Sequence, residues 1–250
     1  MPDVFPETSQ SSSWLTRLSA AGQALLDLLY PPRCAGCGRV GVLFCASCQA
    51  QIEPIMPPVC RHCGRPLRAG DLCAACRNAS SPLDGIASAA IFGWPLREAI
   101  HRFKYGNGYR LAPLLGGQMA AAWPRCRLAA DLIVPVPLHA GRLAERGYNQ
   151  SALLAKEVGR AVGIPVNEGA LVRHKATQQQ AMLNRIERQE NVKDAFACRS
   201  QAPGLRLMLV DDVCTTGATL EACATVLKAS GAASVWAFTL ARARLESGNG

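Results

Sequence analysis

The sequence predicts an α/β fold, a mostly parallel sheet flanked by helices, with a small cysteine-rich module ahead of it. Three observations lead there. In the later two thirds of the chain, apolar runs rich in β-branched residues alternate with helical patterns, the signature of βα units in a sheet covered on both faces. Eight of the 12 cysteines crowd into residues 34–76 as four CxxC pairs. One apolar run, "LMLVDDVCTTGATL" at 207–220, ends in two adjacent carboxylates followed by a loop of small hydroxyl residues and glycine.

The elements follow in order. Residues 1–13 are polar and Ser-rich and read as a disordered tail. Trp14, Leu18, Ala21, Leu25 and Leu28 recur at helical spacing, which predicts a short amphipathic helix that stops at Pro31-Pro32. Arg17, Gln23 and Asp27 make it too polar to span a bilayer. Asp3 and Glu7 do not suit the start of a signal peptide. The expectation is a cytoplasmic protein with no membrane span. The helix and cysteine module form a unit over 14–78, "NASSPLDG" reads as a linker, and a second domain covers 84–245. Within it, "IASAAIF", "ADLIVPVPL", "LRLMLVDD" and "SVWAFTLA" read as strands. "LREAIHRFKY", "RLAPLLGGQMAAAW", "NQSALLAKEVGRAVG" and "TLEACATVLKASG" read as helices, the third with Leu153, Leu154, Val158 and Val162 on one face.

A two-residue spacer lets two thiolates converge on one metal, and a tetrahedral zinc site takes two such pairs. The four pairs therefore make two zinc sites. Sequential pairing is the simplest arrangement: Cys34, Cys37, Cys45 and Cys48, then Cys60, Cys63, Cys73 and Cys76. A cross-braced pairing is compatible with the same spacing. A disulfide framework suits a secreted chain better, and tandem pairs suit metal better than one reactive dithiol. Four thiolates fill zinc's coordination, so both sites read as structural. Cys126, Cys198, Cys214 and Cys223 stand alone.

The net charge is +9, of which +2 lies before Leu83 and +7 after it. The excess is scattered, with no Lys/Arg run, which favours phosphate-bearing ligands over a dedicated nucleic-acid tract. The loop at 214–219 has the matching chemistry. Open α/β sheets bind ligands at the carboxyl ends of their strands. Thr215, Thr216 and Thr219 supply hydroxyls, Gly217 permits a tight turn, and the following helix offers its positive end to a phosphate. Asp211 and Asp212 would repel that phosphate, so they call for sugar hydroxyls or a cation. A ribose 5-phosphate with bound Mg²⁺ satisfies both halves. The GxxxxGK[ST] pattern of nucleotide hydrolysis is absent.

"LMLVDDVCTTGATL" resembles the phosphoribosyl pyrophosphate (PRPP) motif of type I phosphoribosyltransferases. With "PPRCAGCG", "FKYGNGYRLAPLL", "VPVPLHAGRLAERGYNQS" and "RHKATQQQAMLNRIERQENVKDAF" in the same order, the chain resembles the ComF family (ComFC/GntX-like proteins) over roughly 14–244. That family joins a double zinc ribbon to a type I phosphoribosyltransferase domain.

The resemblance implies that Asp211 and Asp212 bind the ribose hydroxyls and help hold Mg²⁺. It implies that Thr215, Thr216, Gly217, Ala218 and Thr219 wrap the 5-phosphate. Pro137, His139 and Arg146 would take the pyrophosphate on a turn that often carries an unusual peptide conformation. Asn149 and Gln150 follow. Lys175, Thr177, Gln180, Arg188 and Asn191 match a mobile segment that closes over such sites, with Lys175 and Arg188 as catalytic candidates. Lys104 and Tyr105 would line the acceptor side. The implied activity is Mg²⁺-dependent transfer of ribose 5-phosphate from PRPP to an acceptor the sequence does not name. The family's link to competence implies single-stranded DNA, or a DNA-uptake or helicase partner; in that alternative the PRPP site is a sensor and the protein is not an enzyme. Cys214 departs from the family's usual aliphatic residue.

Overall fold

The computed structural model describes residues 30–105, 108–175 and 194–244. The tail, the helix up to residue 29, and Thr177, Gln180, Arg188 and Asn191 lie outside the described residues. In chain order, the cysteine module contributes two one-turn helices, α1 (Ala46–Ala50) and α2 (Ala74–Arg77). The second domain runs β1 (Gly85–Ile91), α3 (Leu96–Phe103), a 3-10 turn (Gly108–Leu111), α4 (Ala112–Cys126), β2 (Leu132–Pro135), α5 (Ala140–Arg146) and α6 (Gln150–Val162). It continues with β3 (Leu171–Arg173), β4 (Phe196–Cys198), β5 (Arg206–Cys214), α7 (Ala218–Ala229) and β6 (Ser234–Arg242).

The main sheet has the order β1-β6-β5-β2, and every pairing is parallel. The central strands are buried on both faces, as their uninterrupted apolar runs require: Leu207 to Val210 in sequence are all inaccessible, as are Val235, Ala237 and Phe238. One core packs α3, α4 and α6 on one face of the sheet. The other packs α7 and the small β3–β4 hairpin on the opposite face. The four predicted strands and four predicted helices are all present. The α5 helix and the hairpin were not expected.

The segment read as a linker packs against the sheet, and the cysteine module against its edge strand. Leu83 is buried, and the Asp84 carboxylate accepts from Val235 N (2.6 Å) and pairs with Lys228 (2.8 Å), so the segment is clamped onto β6 and α7. The cysteine module lies along the outer edge of β1. Ile55 N donates to Ala89 O (3.1 Å), Ile91 N to Glu53 O (2.9 Å) and Ile86 N to His62 O (3.0 Å). The Arg125 guanidinium on α4 donates to both Ile55 O and Ala89 O. Cys34, Phe44, Cys45 and Cys48 belong to the same apolar cluster as α3 and α4. An exposed edge strand invites pairing with other chains, and this one is covered.

Candidate functional site

The two cysteine groups adopt sequential pairing. The sulfurs of Cys34, Cys37, Cys45 and Cys48 lie within 4.8 Å of one another, as do those of Cys60, Cys63, Cys73 and Cys76. Two thiolates on a tetrahedral zinc, with Zn–S of about 2.3 Å, sit about 3.8 Å apart. Cys37 and Cys45 are 3.8 Å apart, and so are Cys63 and Cys73. Each group also receives a backbone N–H at one sulfur, Cys45 N to Cys34 and Cys73 N to Cys60. The donor set and its spacing fit zinc, and with no open ligand position the metal is structural.

The second feature is a cavity of about 370 Å³ at the carboxyl ends of β2 and β5, where α/β sheets place ligands. Asp211, Asp212, Thr215, Gly217, Ala218, Thr219, Pro137 and Arg146 all line it. Gly217 has φ +93 and precedes the first turn of α7. That left-handed conformation is open to glycine at little cost, and it turns the loop from strand into helix. Thr216 accepts from Ala218 N (3.4 Å) and is outside the lining.

The two carboxylates have different surroundings. Asp211 Oδ1 accepts from Ser151 Oγ (2.7 Å) on α6 and from Asp212 N (2.9 Å). Burial, and then the Asp212 charge, push the Asp211 carboxyl up to about 7, against the Ser151 and Asp212 N–H hydrogen bonds and the Lys104 charge. Asp212 is 4% exposed, and its Oδ2 lies 2.5 Å from Lys104 Nζ. Burial opposes its charge, but the Lys104 ammonium with the Asp211 and Gln150 hydrogen bonds holds it below the usual carboxylate range. Lys104 therefore neutralises the carboxylate half of the site.

The same cavity gathers a group of arginines. Arg142, Arg146 and Arg173 line the cavity. Burial lowers the Arg173 pKa, and the neighbouring Arg142 cation lowers it further, so like charges have been gathered here. Arg146 Nη1 donates to Gln150 Oε1 (2.9 Å), while its buried Nε has no hydrogen-bond partner among the described residues. Gathered guanidiniums and a buried donor without an acceptor fit a multiply charged anion. The carboxylate pair, already neutralised by a cation, fits a divalent metal or sugar hydroxyls.

Three of the expected features take other places. His139 is the N-cap of α5, its Nδ1 accepting from Gly141 N (3.2 Å), and it does not line the cavity. The peptide bonds around Pro137 are trans; the cis bonds among the described residues are Pro57–Pro58 and Trp94–Pro95. Lys175 is exposed and outside the lining. Sequence reasoning missed Ser151, Arg142 and Arg173. Ser151 follows "NQ" at a helix start, and its reach to Asp211 depends on a pairing of elements 60 residues apart. The arginines carried no local signal beyond their charge.

The chain matches a family model described as a double zinc ribbon domain over residues 25–77. The DNA utilization protein YhgH of Escherichia coli (strain K12) is 32% identical over 175 residues, 68% of this chain and 77% of that protein. Competence protein F of Haemophilus influenzae is 32% identical over 179 residues, 68% of this chain and 78% of its own. Competence protein ComFC of Bacillus subtilis is 31% identical over 149 residues, 59% and 60% of the two chains. Among solved structures, a hypoxanthine phosphoribosyltransferase from Staphylococcus aureus overlaps 54% of this chain and 62% of its own, at 12% identity and a TM-score of 0.34.

Proposed function

The chain belongs to the ComF family of competence and DNA-utilization proteins, and from that premise we propose that its cavity binds PRPP with Mg²⁺ and transfers ribose 5-phosphate to an acceptor. One observation carries the reading. A carboxylate pair, a Thr/Gly turn at a helix start and a group of arginines line one cavity of about 370 Å³, within the range of small-molecule sites. Those are the partners of a ribose diol with its metal, a 5-phosphate and a pyrophosphate.

Asp211 and Asp212 hold the ribose hydroxyls and the Mg²⁺. The 215–219 loop takes the 5-phosphate through backbone N–H groups and hydroxyls. Arg142, Arg146 and Arg173 surround the pyrophosphate. In the reaction the bond from the anomeric carbon to pyrophosphate breaks, and the electron pair leaves with the pyrophosphate. A lone pair on the acceptor forms the new bond. The arginines act by neutralising charge that builds on the leaving group; bound Mg²⁺ supplies the same kind of stabilisation.

A second reading, single-stranded DNA binding, has its own observation. Tyr105 and Tyr109 are 48% and 47% exposed, and Tyr105 follows Lys104 of the cavity lining. His101 lies 5.3 Å from Tyr105, and the Arg146 guanidinium lies 5.3 Å over the same ring. Exposed aromatics among cations are a base-stacking surface.

Calorimetry with Mg²⁺ and PRPP separates the two. Saturable binding is expected in the wild type and none in the Asp211→Asn, Asp212→Asn variant. An absence of binding by the wild type rejects the proposal. Affinity for a single-stranded oligonucleotide that falls steeply with salt and survives both substitutions supports the second reading.

A further inference from the structure

The end of α3 carries a cation into the carboxylate half of the cavity. Leu96, Ala99, Ile100 and Phe103 bury one side of the helix, and Tyr148 Oη donates to the carbonyl of its last residue, Phe103 (2.5 Å). Lys104 N and Tyr105 N close the final turn on His101 O and Arg102 O (both 3.1 Å). The helix thus fixes the backbone of Lys104, and the ammonium lies 2.5 Å from Asp212 Oδ2.

This ion pair is unlike the surface pairs of the molecule. Its side chains are 25% and 6% exposed, whereas those of Lys156 and Glu168 are 54% and 48% exposed. Exposed pairs contribute little, but a buried carboxylate needs a counter-charge. Asp212 Oδ2 has the Lys104 ammonium and no other partner among the described residues. On the neighbouring carboxylate, Asp211 Oδ1 already accepts from Ser151 Oγ and Asp212 N. Asp212 Oδ2 is therefore an oxygen that a cation alone serves, which is the place a metal would take. Two cations on that oxygen would repel strongly in a site so poor in water. The next residue, Tyr105, lies under the Arg146 guanidinium, 5.3 Å from the ring centroid, so the same short segment also touches the anion half.

We infer that Lys104 is a tethered stand-in for the divalent cation. Its ammonium neutralises Asp212 in the empty cavity and leaves when a metal arrives, so Lys104 and the metal compete for one oxygen. The inference deepens the reading above and rests on its metal, not on PRPP or the acceptor. A bare metal ion binds weakly, because it must displace an ammonium that the helix end keeps within reach. A metal that arrives with a polyanion binds better, because the anion receives the displaced ammonium. Lys104 thereby selects the metal complex of an anion over the metal alone.

The test titrates the full-length, zinc-loaded protein with Mn²⁺ alone, without PRPP, and reads free Mn²⁺ by electron paramagnetic resonance. Lys104→Gln is expected to bind Mn²⁺ about tenfold tighter than the wild type or more. Lys104→Arg keeps the charge and is expected to bind it as weakly as the wild type. The gain is expected to vanish when Lys104→Gln is combined with Asp212→Asn. Equal or weaker binding by Lys104→Gln overturns the inference, as does a gain that Lys104→Arg shares or that survives the loss of Asp212. A second measurement needs no variant to fold. Lysine acylation of the wild type, read by mass spectrometry, is expected to spare Lys104 without metal and to modify it at saturating Mn²⁺. Lys228, paired with Asp84 (2.8 Å) outside the cavity lining, is the internal reference and is expected not to change. Lys104 acylation that ignores Mn²⁺ overturns the inference. If the wild type binds no PRPP with Mg²⁺, the proposed function falls, and the Mn²⁺ comparison still decides the role of Lys104.

Discussion

Asp211 and Asp212 are adjacent in sequence and opposite in chemistry. Lys104 keeps Asp212 charged, while burial and the Asp212 charge hold the Asp211 carboxyl up to about 7. The raised value contributes stability that is complete below the ordinary 3.8 and is lost as pH rises through about 7. The ligand-free protein therefore loses this contribution across that window. A divalent metal on the pair, as proposed, would require both groups ionised, so its binding would expel the Asp211 proton. The affinity for Mg²⁺ and PRPP is expected to rise roughly tenfold between pH 6 and pH 8. At pH 7 the calorimetric heat should vary with the ionisation enthalpy of the buffer, and a heat independent of buffer would show that no proton is released. The sequence made the carboxylates legible, because a charged pair at the end of an apolar run contradicts burial unless a ligand is there. Their inequality was not legible. It depends on Lys104 and Ser151, which reach the pair from α3 and α6.

At the scale of elements, α6 ties the site together. Asn149 caps it, with Oδ1 accepting from Ser151 N (3.0 Å), and its Nδ2 donates to Val136 O (3.0 Å) in the turn after β2. The next residues, Gln150 and Ser151, meet Arg146 and Asp211. Asn149→Ala removes the cap and the tie together, and should cost about 1–2 kcal/mol in urea unfolding. Asn149→Asp keeps the cap and loses only the donor, so it should recover about half of that loss while ligand affinity stays low. Equal stability of the Ala and Asp variants would count against the tie. The α6 helix was legible from its apolar face and from Asn149 and Gly163 at its ends. The α5 helix was not, because its seven residues bury nothing and give no apolar period. Strands of three residues, as in β3 and β4, are too short for an alternation to be read. Their pairing also joins segments more than 20 residues apart.

For the whole molecule, the first zinc ribbon shares an apolar cluster with α3 and α4, and the second meets β1 through a backbone hydrogen bond. CxxC spacing announced the metal sites but not where they dock, since the contacts of Glu53, Ile55 and His62 with β1 are backbone hydrogen bonds, indifferent to side-chain type. Two zinc ions per chain are expected. Stripping them with a chelator should expose the β1 edge and the apolar residues packed under the first ribbon, with a rise in light scattering and a lowered melting temperature. Unchanged scattering and melting after complete zinc removal would show that the ribbons are passengers. Among the described residues no helix is long and apolar enough to cross a membrane.

The covering of β1 also sets an order of events on the ribosome. β1 is the first strand of the sheet to be made, and its neighbour β6 is the last. At about 5–20 residues per second, β1 waits roughly 7–30 seconds for that neighbour. The ribbons precede it in the chain, and metal binding supplies folding energy to such small domains. They can hold the far side of β1 throughout the wait, so synthesis in zinc-depleted medium is expected to lower the fraction of soluble chain, and an unchanged fraction would count against this order.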